Sequence, residues 1–163
     1  MIEFKRYQKE DVSEFLLLCK KAYPAHNVFY KSLEEVKKYL DRKDKENSEL
    51  GGVFFAYDKN KVIGGALLKI EEKTINNKHI RFKYNHLVGK DEKVKKEIMD
   101  FLDSKIRKHI KDGKIKTAKI EAALSENEAD LEFYKKNGFK IEGELASHYR
   151  PNEKAYVLGK EIK

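Results

Sequence analysis

The chain has no tryptophan, two prolines, nine glycines and one cysteine among its 163 residues, and each shortage removes a class of protein. A lone Cys19 forms no internal disulfide, which fits a reducing compartment and points to the cytoplasm. It lies among Phe15, Leu16 and Leu18 and reads as a small buried hydrophobe, since nothing near it in sequence is built to lower a thiol pKa. One cysteine and five scattered histidines give no metal-ligand spacing, so a zinc site is excluded. No apolar run approaches the roughly 20 residues that cross a bilayer. The opening MIEFKRYQKEDV lacks the apolar stretch of a secretory leader. No internal repeat, Gly/Ser linker or low-complexity block divides the chain, which reads as one domain over residues 1–163.

What is abundant is charge. Charged residues make up 39% of the chain, with a formal net charge of +8, so nucleic acid is a partner to test. Only five of the 36 basic residues are arginine, glutamate interleaves the lysines, and no basic run carries aromatics. These features weigh against a nucleic-acid face and for a solvated Lys/Glu-rich surface of the kind heat-adapted proteins carry. The 40% hydrophobic content supports a packed core and excludes disorder.

Periodicity orders the elements. Ile2, Phe4 and Tyr7 predict a short first strand, and Asp11 a cap for a helix burying Val12, Phe15, Leu16, Cys19 and Ala22. Ser32 with Glu35 forms a capping box opening a second helix through Val36 and Leu40, after which DRKDKENSE reads as an exposed loop. GGVFFAYDKNKVIGGALLKI predicts a hairpin around Asp58-Lys59-Asn60-Lys61. In HIRFKYNHLV the residues Ile80, Phe82, Tyr84 and His86 alternate as one strand face. Val94, Ile98, Met99, Phe101, Leu102 and Ile106 mark a long amphipathic helix, stopped by Asp112-Gly113. TAKIEAAL is a strand, about Asn127 to Lys136 a helix closed by Asn137-Gly138, and two final strands follow. The order β-α-α-β-β-β-α-β-α-β-β predicts an α/β mixed fold: a twisted sheet of about six to seven strands flanked by about four helices.

The segment SENEADLEFYKKNGFKIEGELASHYRPNEKAYVLGKEI resembles the last helix and final strands of the GCN5-related N-acetyltransferases, the GNAT family. Asn127 stands seven residues before Tyr134, and Phe133-Tyr134 precede Asn137-Gly138-Phe139 at the family's spacing. YDKNKVIGGALL resembles the family's second and third strands. The stretch Asn127 to Leu145 is the specific part. The resemblance implies an N-acetyltransferase that moves an acetyl group from acetyl-CoA directly to a primary amine of a small molecule or protein, with no metal. It further implies that the CoA pyrophosphate meets the start of the long helix. There the family's glycine loop is replaced by Gly89-Lys90-Asp91-Glu92-Lys93-Val94-Lys95-Lys96, with the two motif glycines falling near Lys93 and Lys95. Lys90, Lys93, Lys95 and Lys96 would add positive charge there, and Asp91 and Glu92 would oppose it.

By the same resemblance, Tyr134 would assist departure of the CoA sulfur, and the backbone near Leu87 and Val88 would face the acyl oxygen. Asn127 would contact the cofactor. Glu121 is the carboxylate best placed to take the amine proton, although its spacing to Asn127 differs by one residue from relatives acting on peptide amines; His86 is a weaker candidate. His26, Phe29, Tyr30, His148 and Tyr149 would either line an acceptor pocket or plug the core beneath a loop. Two other readings stand beside this one: a GNAT-fold binding or regulatory module that has lost catalysis, and a basic nucleic-acid-binding domain. A homodimer is compatible with the sequence, which names neither the acceptor nor the oligomeric state.

Overall fold

The computed structural model describes residues 1–24, 27–74, 76, 78–126 and 130–162. Its strands are β1 (Glu3–Arg6), β2 (Gly52–Asp58), β3 (Lys61–Lys73), β4 (His79–Gly89), β5 (Thr117–Ser125), β6 (Lys140–Ala146) and β7 (Lys154–Ile162). Its α-helices are α1 (Val12–Ala22), α2 (Leu33–Asn47), α3 (Glu92–Lys111) and α4 (Leu131–Lys136). The element order is the one predicted, and the strands form one mixed sheet in the order β1-β2-β3-β4-β5-β7-β6. Every neighbouring pair is antiparallel except β4 and β5, whose connection through α3 makes them parallel.

Alternation along the strands sorts the core into two layers. Val53, Phe55 and Tyr57 of β2 pack with Phe15, Cys19, Val36 and Leu40 of α1 and α2. Phe54 and Ala56 turn to the other face, where Ile98, Met99, Leu102 and Ile106 of α3 join Phe133 and Tyr134 of α4. The hairpin between β2 and β3 turns on Lys59 and Asn60, both at positive φ (49° and 67°), the left-handed pair that such a tight turn requires. Gly138, at φ 91°, closes α4 as the sequence pattern indicates.

Three local expectations are corrected. The segment read as an exposed loop after Leu40 continues α2 to Asn47, because it holds no helix breaker and its ion pairs Asp41–Lys45 (2.9 Å) and Arg42–Glu46 (3.8 Å) fall at i,i+4. Asp11 does not cap α1. A 3-10 turn over Lys9–Asp11 precedes the helix, and the Asp11 carboxylate accepts from the Tyr57 hydroxyl at 2.8 Å. His86 leaves the face of Ile80, Phe82 and Tyr84, for a reason that belongs to the site.

Candidate active site

The site is built where two neighbouring strands of the sheet stop pairing. β4 and β5 pair from His79↔Thr117 to Lys83↔Glu121, and there the pairing ends, although β4 runs on to Gly89 and β5 to Ser125. β4 stays bound to β3 and β5 to β7, so a wedge opens between the two parallel strands. Within the wedge the β3–β4 register steps from Leu67↔Asn85 to Gly65↔Val88, leaving one extra residue on β4. That bulge puts His86 at φ 56°, an uncommon conformation for a non-glycine residue. The side-chain phase flips: His86 turns toward α2, its Nε2 2.8 Å from the Tyr39 hydroxyl and its ring edge-on to Phe29 at 5.0 Å. Leu87 and Val88 follow on opposite faces, and both are buried. The Tyr23 hydroxyl donates to the Leu87 carbonyl at 2.6 Å, pinning the bulge to the end of α1.

At the top of the wedge β4 runs into α3. A side chain at Gly89 would come within 2.9 Å of the Lys95 side chain and 3.0 Å of its backbone nitrogen, so glycine lets strand and helix meet. Asp91 is the helix cap: its Oδ1 accepts from the Val94 N–H at 2.9 Å and its carbonyl from the Lys95 N–H at 3.2 Å. The Lys90 N–H donates to Ile63 O at 2.8 Å. The N–H groups of Glu92 and Lys93 remain at the first turn, where a helix has no internal acceptor for them. Lys90, Lys93 and Lys96 are exposed. The Lys96 ammonium is turned down the helix to Asp100 (2.8 Å). Lys95 reaches across to Asp130 at 2.6 Å and lies over the Phe133 ring. The expected cluster of lysines is present, but two of its four head groups point away from the helix start.

Beneath the wedge, α4 buries Tyr134, which is 3% exposed and edge-on to Phe139 at 5.2 Å. Asn127 lies outside the described residues, as does His26. Glu121, on the last β4–β5 pair, faces away from α3, and its carboxylate is held by Arg81 Nε at 2.7 Å. Arg81 also binds Glu72 at 2.6 Å, and the hydrogen bonds to Glu121 and then Glu72 push its pKa up. Sequence reasoning missed this partner, since only the β4–β5 register brings Arg81 beside Glu121. It also missed the connection between β6 and β7. There Glu153, buried, accepts from the Ser125 hydroxyl and from Arg150 at 2.6 and 2.5 Å, tying the loop to the end of β5. Of the expected acceptor-pocket aromatics, Phe29 is fully buried and fills the core, whereas Tyr30 and Tyr149 are exposed.

A surface hollow of about 280 Å³ lined by Lys5, Gln8, Asp11 and Tyr57 lies at the β1–β2 end of the sheet. It is polar, open and remote from the wedge, so the strand geometry locates the site better than cavity size does. Among the described residues no group of three His, Cys, Asp or Glu could hold a metal, and no helix is long and apolar enough to cross a membrane.

No protein-family model matches the chain, and no curated protein matches it in sequence. Solved structures do match. An acetyltransferase of the GNAT family from Streptococcus pneumoniae superposes with a TM-score of 0.67 at 15% identity, covering 100% of both chains. Ard1 from Thermoplasma volcanium gives 0.70 at 16% identity over 99% of this chain and 98% of that one. The aminoglycoside 6'-N-acetyltransferase from Enterococcus faecium gives 0.66 at 14% identity over 99% and 97%. The chain has the fold of the GNAT acetyltransferases.

Proposed function

We propose that this GNAT-fold chain is an N-acetyltransferase, moving an acetyl group from acetyl-CoA to a primary amine by direct attack within a ternary complex. The observation that carries the reading is the wedge between parallel β4 and β5, opened at Lys83↔Glu121 over the buried Tyr134. The unpaired edges of two strands offer backbone groups to an extended thioester arm, and a phenol waits beneath them.

The residues present fit acetyl-CoA, generously at one end and sparingly at the other. The strand edges, the bulge at His86–Leu87 and Tyr134 suit the acyl and thioester end. The diphosphate end would use the first-turn N–H groups of Glu92 and Lys93, with exposed Lys90 and Lys93 supplying charge. Asp91 already occupies the Val94 N–H with its own carboxylate. Bound there, the donor supplies an activated acyl group on a thiol leaving group.

The chain's own residues then have three tasks. A phenol with a reference pKa near 10 stays protonated at pH 7, so the Tyr134 hydroxyl can hold the departing sulfur and give it a proton. The backbone at Leu87 and Val88, fixed by Tyr23, would meet the acyl oxygen with an N–H donor that needs no reorganisation. Glu121, with Oε1 bound to Arg81, would use Oε2 to take a proton from the attacking amine on the face away from α3. The amine would enter between the connection preceding α2 and the β6–β7 loop, where Tyr30 and Tyr149 are exposed.

Calorimetric titration with acetyl-CoA, followed by thiol release in the presence of an α-amino peptide, a lysine peptide, a polyamine and an aminoglycoside, tests the proposal. Saturable binding with amine-dependent thiol release is expected. No binding at millimolar acetyl-CoA would overturn it. Asp91 on the Val94 N–H favours a second reading, a module that has given up the donor; binding of a partner without turnover would mark that case.

A further inference from the structure

Below the wedge lies a charged cluster that none of the tasks above uses. Tyr84 is the first β4 residue past the last β4–β5 pair, and it is 4% exposed. Its hydroxyl donates to Asp103 Oδ1 on α3, and Lys160 of β7 binds the other oxygen, Oδ2, at 2.5 Å. The Asp103 and Lys160 side chains are only 14% and 19% exposed. Lys160 stands opposite Ile120 on β5, and Ile120 opposite Phe82 on β4, so the cluster spans the floor of the wedge where the strands part. Phe139 ties it to the transfer site: its ring meets Tyr134 at 5.2 Å and Tyr84 at 5.9 Å, and the Lys160 ammonium lies 5.6 Å from its centre.

An ion pair with this little exposure is a poor device for stability, because apolar side chains of equal volume often serve as well. Its position suggests another use. We propose that Lys160 is a charge-compensating positioning residue: by neutralising Asp103 it lets the buried floor of the wedge tolerate the negative charge that develops on the departing CoA sulfur. The inference rests on the acetyl-CoA reading above. Without Lys160, the Asp103 carboxylate would stand unpaired in this partly buried layer and oppose negative charge developing in the wedge above it. The charged and titratable groups facing the position are Tyr84 on β4, Asp100 and Asp103 on α3, Tyr134 on α4 and Lys160 on β7, with the Arg81–Glu121 pair on the opposite face. Burial, then the charge of Asp103, holds the Tyr84 phenol well above its ordinary pKa, so it stays a neutral donor to Asp103.

The test uses the full chain with free CoA, whose bound thiol is titrated by thiolate absorbance after subtraction of the protein alone. Lys160→Met is expected to raise the apparent pKa of the bound thiol by about one pH unit and to slow transfer about tenfold. Asp103→Asn, which leaves the ammonium unbalanced, should lower it, so the inference survives a failure of Lys160→Met to fold. Lys160→Arg and the double variant Asp103→Asn/Lys160→Met should return it close to wild type. Equal thiol titration in wild type and both single variants, with CoA bound, overturns the inference alone. Failure of wild type to bind CoA overturns the acetyl-CoA reading and the inference with it.

Discussion

Replacing Asp91 with alanine should weaken the protein and tighten the donor at once. In the free chain the Asp91 carboxylate caps α3 by accepting from the Val94 N–H at 2.9 Å. Losing an N-cap costs about 1 kcal/mol, which for a domain of this size lowers Tm by about 2–4 °C. The same carboxylate competes with the diphosphate for that donor and adds a negative charge beside it. A hydrogen bond from the freed N–H to a phosphate oxygen is worth about 1.5–3 kcal/mol, so the acetyl-CoA Kd should fall roughly 10- to 150-fold. Asp91 is exposed, so removal of its charge adds little once salt screens it. Asp91→Ser separates the two effects, because it keeps a cap and removes only the charge; its affinity should lie close to wild type. Thermal unfolding without ligand and calorimetry with it read the two signs independently. A folded Asp91→Ala variant whose acetyl-CoA affinity is unchanged or weaker would refute the argument and move the diphosphate away from the start of α3.

Three further expectations concern other residues. Tyr134→Phe should lower kcat about 10- to 10³-fold with acetyl-CoA affinity held, because it removes one proton donor and keeps the ring; wild-type turnover would leave Tyr134 as a core aromatic. Glu121→Gln should lower kcat/KM for the amine about 10²-fold. Unchanged kcat/KM would reduce Glu121 to the ionic partner of Arg81. His109 is held below the ordinary histidine pKa, first by burial and then by Lys114 and Lys105, against the opposing Leu50 carbonyl and Asp112. A depressed histidine favours the neutral form in the fold, so its contribution is present above the unfolded value near 6.5 and is lost as pH falls through the folded one. Denaturant melts should therefore show stability declining below about pH 6.5, and His109→Gln should flatten that decline; an identical decline in the variant would exclude His109 as its source.

The parts of the fold legible in the sequence are those carried by local pattern. Apolar spacing marks α3, the Lys59-Asn60 turn marks the β2–β3 hairpin, and Asn137-Gly138 marks the end of α4, where Gly138 adopts the positive φ that glycine tolerates. The end of α2 is less legible, because charge alone looks like a loop. The i,i+4 spacing of Asp41 with Lys45 and Arg42 with Glu46 was the signal, and it was in plain view. Asp91, read from the sequence as an acid opposing the phosphates, is the α3 cap, its carboxylate accepting from the Val94 N–H three residues on.

The side-chain contacts within the site are not legible, because each depends on register between distant segments. A bulge adds one residue to β4 and reverses every side chain after it, so a two-residue alternation that assigns Ile80, Phe82 and Tyr84 correctly must misplace His86. Glu121 finds Arg81 only because β4 and β5 are parallel and in that register, and Asp103 finds both Tyr84 and Lys160 only where α3 crosses beneath the wedge. In an antiparallel hairpin a short turn announces the pairing; in a strand-helix-strand crossover nothing local does. The same crossover that hides these contacts from the sequence is what allows the two strands to part, since each is held by a different neighbour, β3 on one side and β7 on the other. A wedge of this kind can hold a ligand against both edges while its floor, packed by α3 and α4, sets the charge that the ligand meets.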